Sequence, residues 1–586
     1  MNAVTMQKTP LEMFYHWETT TPHQVYLRQP KNLQWTEYTW AQVGDAVRRT
    51  AAFLRSQGLP PGSRIAIWSS NSKDWPIVDL AIMMAGHISV PLYPGQDIPS
   101  ARYILEHSGS ELIFLGGFDA WEGADQAIPA NILRIAMLGC KVPCPYALEE
   151  ICESEAPLSE SPLPDPNSTM TLIYTSGTTG NPKGVEHLHI TPGYAVPDLT
   201  SATRMEVGHT RFFSFLPMSH AAERIIVEMA SLYVNGQISF SEGLATFAEE
   251  LRSVQPHLFF SVPRLWIKFK EGVDAKIPPA AQANLPAEVK AGIVRALGLA
   301  EARTIITGAA PCPRDVQDWF INMGVVLRDG YGMTENFIHG CFWTHNDHPK
   351  AGCVGRPAAT VELKISDAGE VLFRSKGLMK GYYKEPEKTA EAIVDGWYHT
   401  GDSGRIDEDG CLWVTGRISE VFKSTKGKFI RPTDLESRLG RSALLSQYCV
   451  FGHGLDQPAL LVFLSESGMK LEPSELTTQL SALLDQINAE LPAWERIPQV
   501  FVTREEWSIA NGLLTPTMKL RRKQIEQRYR PWVEASLGQG PVVFESAAPD
   551  VGDGNNKPAD SVGLLLNSNQ IPVLLYQIGE DQARSR

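Results

Sequence analysis

The chain has 586 residues, 43% of them hydrophobic, and a net charge of −13. That length exceeds one compact core and predicts at least two domains, with ample apolar material for a large interior. The acidic balance, with no basic block to offset it, speaks against nucleic acid as a partner.

The stretch MNAVTMQKTPLEMFYHW lacks a basic-then-apolar signal pattern. No run of eighteen apolar residues occurs: the nearest, Trp75–Tyr93, is interrupted by Asp79 and His87, so no integral membrane segment is expected. The eight cysteines are scattered, and Cys140, Cys144 and Cys152 fit no zinc spacing. Free thiols in a reducing cytoplasm are the expectation.

In chain order, Thr39-Trp-Ala-Gln42 is a capping-box pattern. Val43, Ala46, Val47, Thr50 and Leu54 then fall on one helical face, which Gly58 and Pro60-Pro61 bring to an end. Ser63–Trp68 reads as a strand, Trp75–Met84 as a buried helix ended by Gly86, and Ile88–Tyr93 as a second strand, which together make a parallel α/β unit. Met170–Tyr174 reads as a further buried strand. Thr175, Ser176, Gly177, Thr178, Thr179, Gly180, Lys183 and Gly184 follow it. Glycines permit sharp turns and close approach, hydroxyls and freed amides donate to phosphate oxygens, and a lysine adds a point charge. The string predicts a phosphate cradle, but it lacks the Gly-Lys pair of the common P-loop, because Lys183 follows Pro182.

His220 opens a helix in FLPMSHAAER, where position alone fits a helix-start or core histidine. In TGAAP, Gly308, Ala309 and Ala310 are small enough for a flat base to lie on the backbone. In DGYGMTEN, Asp329 and Gly330 precede Tyr331, which offers an aromatic face. Beyond Gly332, Thr334 and Glu335 supply a hydroxyl and a carboxylate of the kind Mg²⁺ takes. Alone, that string also fits a turn with a core tyrosine. Asp402, in a Thr-Gly-Asp turn, suits the two ribose hydroxyls or an Asx-type turn. Asp409-Gly410 is a hairpin signal, and His345-x-x-His348 reads as a solvated loop. Further on, Gln447–His453 and Ala459–Ser465 read as strands, Leu476–Leu491 as an amphipathic helix and Val500–Thr503 as a strand.

These strings, in this order, resemble the adenylate-forming superfamily of acyl-CoA synthetases, luciferases and peptide-synthetase adenylation domains. LPMSHAAER, FFSVPRLWIKF and LTPTMK are similar to its long-chain fatty-acid–CoA ligase branch. The resemblance spans about residues 10–535. It implies that Thr175–Gly180 and Lys183 hold phosphates, that Gly308–Ala310 and Asp329–Gly332 hold adenine with Tyr331 against the base, and that Thr334 meets the α-phosphate. It implies further that Thr175 and Glu335 bind Mg²⁺, that Asp402 holds the ribose with Arg417 on the nucleotide, that His220 shapes the carboxylate site, and that Lys519 reaches the reacting groups.

The implied fold is α/β: a large N-terminal adenylate-forming domain of α/β layers over 1–416, a small α+β domain over 417–536 that rotates and carries Lys519, and a partly flexible tail over 537–586. The implied activity converts a small-molecule carboxylate, a fatty acid, with ATP, to an acyl-adenylate and then, with CoA, to acyl-CoA, releasing AMP and pyrophosphate. Ser419, where relatives carry Asp or Lys at the hinge, and Lys426, where many carry glycine beside the pantetheine tunnel, depart from the pattern. Lys426 keeps open a rival reading, in which the acyl group passes to a carrier protein or an amine. A nucleotide-binding scaffold without turnover is the third reading. A cytoplasmic location is expected, and fatty substrates are compatible with peripheral membrane contact without an anchor.

Overall fold

The structure is a computed structural model that describes residues 7–118, 123–175, 181–439, 442, 444–509, 511–515 and 519–546. The helix over Trp40–Ser56 starts as its sequence dictates: Thr39 accepts from the Gln42 amide and the Gln42 side chain accepts from the Thr39 amide. Asp74–Met84 forms the buried helix between the parallel strands Arg64–Trp68 and Ile88–Leu92. Its all-round burial matches its all-round apolar sequence.

These strands belong to an eight-stranded sheet, in the order Gly381–Tyr382, Lys183–Leu188, Thr169–Thr175, Ile88–Leu92, Arg64–Trp68, Ser110–Leu115, Leu133–Ala136, Tyr146–Ala147. From Thr169–Thr175 onward all pairings are parallel; Lys183–Leu188 returns antiparallel beside it. A three-stranded parallel sheet (Leu258–Ser261, Thr304–Thr307, Leu327–Asp329) and a mixed sheet holding Arg211–Ser214 and Gln237–Phe240 pack alongside. An antiparallel sheet contains Trp397–Ile406 and Leu412–Arg417, turned at Asp409-Gly410 as its sequence signals.

Residues from Phe422 to Val543 bury two apolar clusters of their own, one containing Leu435, Leu460, Leu480 and Val500, the other Phe451, Phe501, Trp507 and Ile525. They flank a four-stranded sheet of Leu445–Phe451, Ala459–Leu464, Val500–Thr503 and Val542–Phe544. The large α/β domain and the small α+β domain thus each have a separate core.

One expectation is corrected here. The stretch from Leu537 reads as linker, yet Val542–Phe544 pairs in parallel with Val500–Val502 and buries Val543. Three residues between Gly540-Pro541 and Glu545 are too few to show a strand period, and the pairing alone makes the strand. The remainder of the tail, 547–586, lies outside the described residues. The eight cysteines are free, and no helix among the described residues is long and apolar enough to cross a membrane.

Candidate active site

The parallel strand Thr169–Thr175 ends where its antiparallel neighbour begins, with Thr175 opposite Lys183. Thr175 therefore stands at the carboxyl edge of the parallel strands, where open α/β sheets hold their ligands. Ser176, Gly177, Thr178, Thr179 and Gly180 lie outside the described residues. Lys183 places its Nζ 4.3 Å from the ring centre of Tyr382, and the Tyr382 hydroxyl donates to Glu335 Oε1 at 2.9 Å. Burial, reinforced by the Glu335 carboxylate, pushes the Tyr382 phenol well up and keeps it a donor.

The turn from Gly330 to Cys341 closes on itself. Tyr331 and Cys341 exchange both backbone bonds at 2.8 Å, and Phe337 and Ile338 take left-handed φ values of 50° and 57°. Gly332 is required by space: a Cβ there would stand 2.7 Å from Ile338 Cα. The Glu335 carbonyl accepts from the Met379 amide at 2.7 Å. Gly308 is buried with its Cα face toward the Gly330 carbonyl, while Ala309 and Ala310 are exposed.

Tyr331 donates its hydroxyl to Asp402 Oδ2, which fixes the ring. Asp402 Oδ1 pairs with Arg417 Nε at 3.0 Å, and the two residues face each other across the ladder of Trp397–Ile406 and Leu412–Arg417. Burial raises the Asp402 pKa against the opposing pull of Arg417, Tyr331 and Lys519. The turn is held by the Asp402 amide donating to Thr400 Oγ1 at 3.0 Å, which leaves the carboxylate to the cleft.

Lys519 arrives from the small domain. Its amide donates to Thr515 Oγ1 at 3.0 Å, and its carbonyl accepts from the Thr515 amide at 2.8 Å. The residue is exposed, and the charges of Arg417, Asp402 and Glu335 act on its ammonium. Desolvation by the surrounding residues, and then Arg417, lower its pKa; the two carboxylates oppose that. His220 caps the helix that begins at Ala221, its Nδ1 accepting from the Ala222 amide at 3.1 Å, so Nε2 carries the proton. Burial, with Lys519 adding to it, lowers its pKa to about 4 and makes it a neutral imidazole.

Of the predicted residues, Lys183 is linked through Tyr382 to Glu335, Tyr331 and Arg417 both meet Asp402, and the charge of Lys519 acts on Arg417, Asp402, Glu335 and His220. Asp329 does not join them: its carboxyl is buried on Gln317 Nε2 at 2.6 Å, and burial raises it to about 7. Tyr382, which links Lys183 to Glu335, carries no signal in the sequence. A single carboxylate with hydroxyls beside it suits Mg²⁺, which prefers hard oxygens and takes the rest of its shell from water and phosphates. No cluster of three or more His, Cys, Asp or Glu able to cage a metal occurs among the described residues.

Comparison with known proteins places this architecture. The chain is 27% identical to the long-chain-fatty-acid–CoA ligase FadD15 of Mycobacterium bovis, over 89% of this chain and 96% of the relative. It is 26% identical to long chain acyl-CoA synthetase 2 of Arabidopsis thaliana, over 85% and 87% of the two chains. Among solved structures, the anthranilate CoA ligase AuaEII in complex with anthranoyl-AMP superposes with a TM-score of 0.74 at 20% identity, covering 90% of this chain and 98% of that one. The profile described as AMP-binding enzyme matches residues 14–383, and that of the AMP-binding enzyme C-terminal domain matches 420–538. With both domains matched in order, the chain belongs to the AMP-binding enzyme family.

Proposed function

We propose that this enzyme activates a long-chain fatty acid with ATP and passes the acyl group to CoA. A carboxylate cannot be attacked directly, because neither of its oxygens leaves. Its oxygen therefore attacks the α-phosphorus of ATP, the bond to the pyrophosphate oxygen breaks, and a mixed anhydride with AMP results. The CoA thiol then attacks the acyl carbon, loses its proton, and AMP departs.

The observation that carries this reading is that Lys519, from the small domain, feels the charges of Asp402 and Glu335 of the large one and of Arg417 at the boundary between the two. In this reading Asp402 receives the ribose, with its carboxylate oriented by Tyr331 and Arg417. Lys183 and the loop that precedes it take the β- and γ-phosphates. Thr334 and Lys519 meet the α-phosphate, where negative charge gathers as pyrophosphate leaves. Glu335 and Thr175 are the residues that would hold Mg²⁺, which neutralises phosphate charge when bound. Neutral His220 donates from Nε2 to the substrate carboxylate. The substrate class rests on the relatives' names and on the LPMSHAAER and FFSVPRLWIKF strings.

The test is pyrophosphate release with ATP, Mg²⁺ and fatty acids from about C6 to C18, with and without CoA. The expected outcome is multiple turnover that rises strongly with CoA for the longer acids. Release with no acid in the panel would sink the reading. A single turnover that is indifferent to CoA would point to another acceptor, with Lys426→Gly as the first variant to make.

A further inference from the structure

Besides Tyr382, a second side chain that the reaction scheme does not use ties the turn carrying Thr334 and Glu335 to the central sheet. His187 lies on Lys183–Leu188, fully buried, and its Nε2–H donates to the Thr334 carbonyl at 2.7 Å. A carbonyl only accepts, so the tautomer is fixed with the proton on Nε2. Nδ1 is then a lone pair, buried and without a partner. Burial lowers the imidazole to about pH 3, with the nearby Arg224 guanidinium adding to it, so the ring stays neutral and its tether does not switch with pH.

An orphaned buried nitrogen is a cost that a phenylalanine of similar size would avoid, above all beside the ring of Phe337, whose centre is 4.7 Å away. What the histidine adds over an apolar ring is the single bond to Thr334.

The far end of the tether is equally fixed. His187 faces Thr171 across the strand pair. Thr171 Oγ1 donates to the Ser89 carbonyl at 2.9 Å and accepts from Arg224 Nη1 at 2.7 Å. Arg224 is fully buried and meets both oxygens of Asp79, at 2.7 and 2.6 Å. It also sits one helical turn after His220, whose carbonyl accepts from the Arg224 amide at 3.1 Å. The same buried cation thus pins the strand behind His187 and the helix that His220 heads.

We propose that His187 is a positioning residue that sets the Thr334–Glu335 pair against the phosphates of ATP, using the Arg224–Asp79 pair as its anchor. The proposal rests on the adenylating reaction above, and it predicts that loss of the tether harms the ATP step and spares the CoA step.

The experiment compares wild type, H187F and H187Q in three measurements: pyrophosphate release against Mg·ATP concentration, thioester formation from supplied acyl-adenylate plus CoA, and the thermal upshift that Mg·ATP gives. For H187F the expectation is a fall of about tenfold or more in pyrophosphate release and a smaller thermal upshift, the effect of leaving one buried acceptor unpaired. Thioester formation from supplied adenylate stays within about twofold. H187Q, whose amide can donate to the same carbonyl, recovers most of the loss. The role is overturned if H187F leaves pyrophosphate release unchanged. It is equally overturned if both half-reactions and the melting temperature of H187F fall together and H187Q recovers none of them, because His187 is then only a packing residue. A wild type that releases no pyrophosphate with any acid removes the adenylating reading, and this role with it.

Discussion

Lys519 stands where desolvation and the Arg417 guanidinium disfavour its charge, and only Asp402 and Glu335 restore it. The charged ammonium is the form that can stabilise the α-phosphate. Pyrophosphate release should therefore decline on the alkaline side at a lower pH than an ordinary lysine would give. K519A is expected to lose roughly 10²–10³-fold in rate, the range for removing one preorganised donor. K519R keeps the charge to much higher pH, so its residual activity should lack that alkaline decline. A pH–rate profile of K519R with the wild-type limb would assign the limb to another group. Glu223 poses the opposite case. Its buried carboxyl accepts from Ser214 Oγ at 2.8 Å and from the Phe215 amide at 3.2 Å, and burial raises it to about 8 from an ordinary 4.5. The folded chain thus retains a proton that the unfolded chain releases above about 4.5. Its contribution to stability is whole below that pH and is lost as pH rises toward 8. Denaturant midpoints at pH 5 and pH 8 should differ less in E223Q than in the wild type; equal differences would mean that the carboxyl is ionised in the folded state.

The elements that were legible from the sequence are those whose signal is local. Thr39 and Gln42 mark a helix start because both halves of the capping box lie within one turn, and Asp409-Gly410 marks its hairpin because the bend needs those residues. The TGD turn and the family resemblance likewise pointed to Asp402 and Arg417, and the ladder places the two opposite each other. What was not legible depends on pairing across the chain. Nothing in Gly381-Tyr382-Tyr383 shows that Tyr382 will bridge Lys183 and Glu335, because that requires the short strand Gly381–Tyr382 to dock beside Lys183–Leu188. In the sequence Asp79 is only a charge that interrupts an apolar run; that it is buried against Arg224, 145 residues later, is a fact of the fold alone. His187 gave no signal, since a histidine next to a phosphate loop reads the same whether it faces solvent or the protein. The roles expected of Ser176–Gly180 concern residues outside the described ones.

At the scale of the whole molecule, two separately cored units meet. Arg264 of the large unit and Glu506 of the small one approach to 3.9 Å, a partly exposed pair of the kind that contributes little to holding units together. The short segment Ile418–Glu420, with Ser419 at its centre, follows Arg417 directly, so any swing of the small unit begins one residue from a side chain bound to Asp402. The strand Val542–Phe544 bears on how such a molecule behaves among its own copies. It caps the open side of Val500–Thr503: the Val500 amide donates to the Pro541 carbonyl at 2.9 Å, and the Glu545 amide to the Val502 carbonyl at 3.0 Å. A chain cut after Ser536 would bare a buried strand edge, Val-Phe-Val-Thr, with a row of unanswered amides and carbonyls, a template for the same edge of a neighbour. Light scattering should find that chain self-associating at concentrations where one cut after Ser546 keeps the particle size of the full-length protein.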